Sequence, residues 1–148
     1  MQIPLQDFLK LEYLSKKIST IIHKYSNQDY LHFLKVCQAI RLLSRGKDLQ
    51  KLLLNDKVFE KIEISLINII KENPSSNHEV VDNILIEIIS ITKRLVSGKD
   101  SDNEFTNKVL HSEFFDRIIF LLHKDNPILL KNLHILLISL IDKYVIVH

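Results

Sequence analysis

The chain has 148 residues, a formal net charge of +2 and 46% hydrophobic residues, with two Gly, three Pro, one Cys and no Trp. That length suits one domain, able to bury roughly 70% of the surface its unfolded form exposes without disulfides or metals. So few turn residues exclude an all-β fold, the single Cys excludes an internal disulfide or multi-Cys zinc site, and the near-balanced charge disfavours nucleic acid as a partner.

The elements follow in chain order. Met1–Asp7 lacks the basic and apolar regions of a secretory signal. A first helix is predicted over about 5–25, because Phe8, Leu11, Leu14, Ile18, Ile21, Ile22 and Tyr25 recur every three or four residues. Ser26–Asp29 is a polar break, and Asn27 or Asp29 can cap a second helix over about 29–45. Its apolar side carries Tyr30, Phe33, Leu34, Cys37, Ile40 and Leu43 or Leu42, and Gly46 suits the left-handed position that ends a helix. A short helix at about 48–54 leads through Asn55-Asp56 to a helix at about 56–72. Asn73–Asn77 is the clearest loop, and a long helix follows over about 78–97, ended by Gly98. Helices at about 103–111 and 113–124 come next, the second capped by Ser112. Pro127 opens the last, at about 127–146. The apolar stretch 128–147 carries Lys131, His134, Asp142 and Lys143, so it reads as a buried helix and not a membrane span. Together these features predict a cytoplasmic protein of a reducing compartment, with no membrane partner.

The pattern repeats. Phe8, Phe59 and Phe115 open similar blocks 51 and 56 residues apart. Arg41-Leu42-Leu43-Ser44-Arg45-Gly46-Lys47-Asp48 is echoed by Arg94-Leu95-Val96-Ser97-Gly98-Lys99-Asp100, with the glycines 52 residues apart. Approximate units are 5–46, 47–98 and 99–146. The last helix is apolar nearly all round, which demands cover on most sides. Terminal layers of a stacked array need a polar outer face, so the chain is expected to continue into a longer array or to self-associate through this helix.

The segment Ala39–Gly46 with Leu49, Leu52 and Leu53, mirrored by Ile91–Gly98, resembles armadillo repeats and, more loosely, HEAT repeats. The resemblance implies an all-α, right-handed armadillo-like α-solenoid of about three repeats and about eight helices, forming one domain over 1–148. It also implies a non-catalytic scaffold or adaptor whose third helices present a concave surface to a partner protein or peptide. The Trp and Asn with which nuclear-import members grip an extended peptide are absent, position 42 being Leu and 94 being Arg. Two other readings stay open: a compact Bcl-2-like helical bundle binding an amphipathic helix in a groove, and a HEAT-like nucleic-acid-binding module.

No catalytic constellation is visible. Gly46-Lys47-Asp48 and Gly98-Lys99-Asp100 lack the earlier Gly and the following Ser or Thr of a phosphate-binding loop. The seven His include no His-Glu-x-x-His pair, and Cys37 lies on an apolar helix face as a structural thiol. No enzyme activity, metal or cofactor is expected. The candidate protein-binding strip is polar and mildly basic. It comprises His32, Lys35, Gln38, Arg41 and Arg45 on the second helix, Asn83, Glu87, Ser90 and Arg94 on the long helix, and Lys131 and His134, then Asp142, on the last.

Overall fold

A computed structural model describes residues 13, 16–18, 20–22, 29–47, 50–51, 57–72, 79–97 and 103–147. Every described element is helical, with no strand among the described residues. After the helical residues 16–18 and 20–22 come α1 (Tyr30–Leu43), α2 (Val58–Glu72), α3 (Glu79–Ser97), α4 (Asn103–Leu110) and α5 (Glu113–Phe120). A 3-10 turn (Leu121–His123) then leads to α6 (Pro127–Val147). The expected features at Phe8, Leu11, Leu14, Asn27, Asn55-Asp56, Asn73–Asn77 and Gly98, and most of the helix at 48–54, lie outside the described residues.

Local chemistry explains the boundaries. The Asp29 side chain accepts from the His32 backbone N–H at 3.2 Å, and Ser112 accepts from that of Phe115 at 3.2 Å. Each satisfies one of the orphan donors of a helix start. Pro127 occupies the first position of α6, where a missing N–H costs nothing. The Asn126 side chain accepts from Leu129 N there at 3.1 Å.

One expectation fails at the end of α1. No glycine among the described residues has positive φ; Gly46 therefore does not supply a left-handed cap. Ser44 closes α1 instead, its N–H donating to the Ile40 carbonyl at 2.8 Å. The chain then curls on with right-handed bonds, Gly46 N to Leu43 O and Gln50 N to Gly46 O, into further helical residues. The described residue with positive φ is Lys57, at 57°, just before α2.

Helices α1, α3 and α6 lie side by side. α3 packs against α1 on one flank and α6 on the other, and touches α2. A second row forms from α2 and α5, with α4 bridging α5 and α6. Between the rows runs one continuous core that includes Ile22, Phe33, Leu66, Leu85, Phe114 and Leu136. Phe59 meets Phe105 and Phe114 edge-on, at ring-centroid distances of 5.0 and 5.8 Å, within the favourable range for aromatic pairs. The spacing of the sequence blocks pairs Phe59 with Phe115. In the structure Phe114, not Phe115, is fully buried, and it is second in its helix, as Phe59 is in its own.

Side-chain bonds that tie one helix to another span a narrow range of separations. Tyr30 to Glu72, Ser90 to Asn132 and Lys124 to Asp82 each span 42 residues. Arg41 to Glu87 spans 46, Lys108 to Glu60 spans 48, and Arg94 to the Arg41 carbonyl spans 53. No helix among the described residues is long and apolar enough to cross a membrane.

Candidate protein-interaction surface

The polar strip read from the sequence falls on α1 and the turn after it, on α3 and on α6, which the fold sets side by side. On α1, His32, Lys35 and Gln38 are exposed and Arg41 is half-buried at the boundary with α3; Arg45, expected on the same helix, is exposed in the turn just after it. The three-residue spacing of His32, Lys35, Gln38 and Arg41 keeps these four along one side of the helix. Exposed Leu31 and Leu42 lie among them, so this face is mixed and not purely polar; Leu42, grouped with Leu43 on the apolar side in the sequence, falls here because it is one helical step round from Leu43.

On α3 the buried residues, from Val81 to Val96, form one wide stripe covered by α1, α2 and α6. The opposite side carries Asn83, Ile86, Glu87, Ser90, Lys93 and Arg94, all partly exposed. The most buried helix thus keeps one open side along its length. Ile86 and Lys93 were not singled out from the sequence, although Lys93 follows Ser90 at helical spacing.

Several strip residues act as joints between helices. The Arg41 guanidinium donates through Nε to the Glu87 carboxylate. Arg94 donates to the Arg41 carbonyl and, at 3.2 Å, to Ser44 Oγ. Ser90 donates to the Asn132 side chain at 3.3 Å, linking α3 to α6. Burial, with Arg45 and Arg41 close by, holds the Arg94 guanidinium below its ordinary pKa. This is the signature of like charges crowded together in a partly desolvated place. Segments 37–47 and 87–97 contain Arg41, Arg45, Lys47, Lys93 and Arg94 but only one carboxylate, Glu87. Arg45 has no ion-pair partner among the described residues.

Lys131 and His134 are exposed on α6. Lys131 reaches the rim of a shallow groove with Lys93, Pro127, Ile128, Asn132 and Ile135, which joins this end of α6 to the α3 surface. His32 serves α1 itself, its ring nitrogen bonding Asp29; that contact holds the Asp29 carboxyl below the usual range.

The rest of the chemistry is structural. Cys37 is fully buried, and burial with nearby Glu87 pushes its thiol up, so it stays protonated. Among the described residues no group of three His, Cys, Asp or Glu side chains could hold a metal ion. A cleft of about 240 Å³ lies between α2, α3 and the 3-10 turn, lined by Ile70, Val81, Leu85, Phe120 and Leu121. It is smaller than the ~300–1,000 Å³ usual for ligand sites. Its neighbouring cations are committed, Lys71 and Arg117 to Glu113 and Lys124 to Asp82. Comparison with protein-family models, curated proteins and solved structures finds no match.

Proposed function

We propose that the chain is a non-catalytic protein–protein interaction module, an armadillo-like solenoid of about three repeats whose α1–α3 surface holds an acidic segment of a partner protein. The observation that carries this reading is the concentration of five cations against Glu87 alone in segments 37–47 and 87–97 of a chain whose net charge is only +2. Such a patch raises the local concentration of anionic partners, and guanidinium groups pair bidentately with carboxylates. Exposed Leu31 and Leu42 beside it supply apolar contact area.

Two features support the layered architecture. The inter-helix bonds step 42 to 53 residues along the chain, mostly shorter than the 51- to 56-residue spacing of the sequence blocks, so each reaches over less than or about one block. Nearest-neighbour contact of this kind is what stacked repeats require. The open side of α3 favours stacked layers over a bundle in which a central helix is encircled.

The test uses Lys35→Glu combined with Arg45→Glu, because both residues are exposed and neither joins two helices. Arg41 and Arg94 are spared, since reversing them would break the α1–α3 joint. Cross-linking in the native cell, followed by mass spectrometry, should show a protein partner whose yield falls at least tenfold in the folded double variant. Undiminished capture would refute the assignment of this surface. Salt-sensitive retention on an RNA column, with no protein partner, would favour the HEAT-like nucleic-acid reading.

A further inference from the structure

The outer face of α6 carries four exposed isoleucines: Ile128, Ile135, Ile138 and Ile141, three of them about 60% exposed. It lies opposite the buried row Leu129, Leu133, Leu136 and Leu140. Along its centre run Ile128, Lys131, Ile135, Ile138 and Asp142, at successive spacings of three, four, three and four. That is the seam spacing of a two-helix coiled contact. Lys131 and Asp142 are both exposed, and neither has an ion-pair partner among the described residues.

The seam is self-complementary in one orientation only. If two copies lie antiparallel about a two-fold axis between Leu136 and Leu137, Ile135 of each copy meets Ile138 of the other. Lys131 of each then meets Asp142 of the other, giving an ion pair at both ends of an apolar centre. A parallel pairing would set Lys131 against Lys131 and Asp142 against Asp142, which repels.

We propose that the chain forms a symmetric homodimer through antiparallel pairing of α6 with α6 of a second copy. The interface is isologous, so one patch serves both sides. The seam covers about 21 Å of helix. A seam of this length makes the contact a small one among specific interfaces. The inference stands on the α6 face and is independent of the proposed partner surface on α1 and α3.

The decisive experiment is sedimentation equilibrium on wild type, Lys131→Asp, Asp142→Lys and an equimolar mixture of the two variants. Wild type should approach twice 17.4 kDa as concentration rises. Each single variant should weaken association at least tenfold, because both ends of its seam become like-charged. The mixture should recover dimer, since both acidic seam ends of the first variant then meet the basic seam ends of the second. Far-UV circular dichroism should match wild type for both variants, whose changed side chains are solvent-exposed. Ile138→Ser, which alters no charge, should also dissociate the dimer. A wild type that stays monomeric throughout would overturn the proposal, as it would if a different protein or a further helical layer covers this face. Single variants that dimerise like wild type, or a mixture that stays monomeric, would also overturn it.

Discussion

Ile64 and Leu66 lie two residues apart on α2, are both large and aliphatic, and differ completely in environment. Leu66 is fully buried, whereas Ile64 is 60% exposed. Replacing Leu66 by Ala removes buried methyl groups and leaves a cavity that the surrounding helices fill only in part, costing about 3–4 kcal/mol. Total stability for a domain is about 5–15 kcal/mol, so this is a large fraction of it. Each kcal/mol shifts the melting temperature of a domain this size by about 2–4 °C, so Leu66→Ala should melt about 6–16 °C below wild type. Ile64→Ala gives up little burial and gains a few tenths of a kcal/mol of helix propensity, leaving Tm within about 2 °C. Thermal unfolding followed by circular dichroism at 222 nm reads both. Equal losses, or a larger loss at Ile64, would mean that α2 is rotated from the orientation described.

Four further outcomes follow from single side chains. Leu136 is fully buried in α6, and Leu136→Asp should abolish the cooperative unfolding transition, because a carboxylate there has no compensating partner; a sharp, unshifted transition would contradict the core. The Thr106 hydroxyl is buried without a hydrogen-bond partner, so Thr106→Val should stabilise the chain by about 1 kcal/mol in urea titration, and a loss of stability would show that the hydroxyl is satisfied. Gly46 has open space where a Cβ would sit and no positive φ, so Gly46→Ala should raise stability by about 0.4–1 kcal/mol; marked destabilisation would restore the left-handed assignment. Burial raises the Glu63 carboxyl above its ordinary pKa, against the pull of Lys108, so folding disfavours its charged form. That cost is present above the folded pKa and absent below the unfolded one, so Glu63→Gln should raise Tm by about 1–2 °C at pH 7. The gain should shrink as pH falls through the carboxylate range, and a gain that grew toward acid would reverse the sign.

Much of this architecture was legible in local spacing. The caps at Asp29 and Ser112, the opening proline of α6 and the apolar faces of α1 to α3 follow from rules that act within one or two turns. What the sequence hid lies across turns or between helices. Gly46 matched a helix-stop signal, but Ser44 had already closed α1 and the chain continued right-handed, so the glycine's freedom went unused. The roles of Arg41, Glu87 and Arg94 depend on partners 46 to 53 residues away, which no helical period encodes. In α6 apolar residues occur on every side, so periodicity could not choose between Leu136, which packs inward, and Ile138, which faces out. The strip was legible as helical faces. Its division into inter-helix joints and exposed side chains required the packing.

The central claim is that the α1–α3 surface receives a partner's acidic segment. Photo-crosslinking amino acids placed in turn at Gln38, at Asn83 and, on the other row, at Ile64 test it in the native cell, with each cross-linked peptide sequenced. Gln38 and Asn83 should capture the same Asp- or Glu-rich segment of one protein, and Ile64 should not. Capture of that segment from Ile64, or of segments without acidic residues from Gln38 and Asn83, would contradict the account.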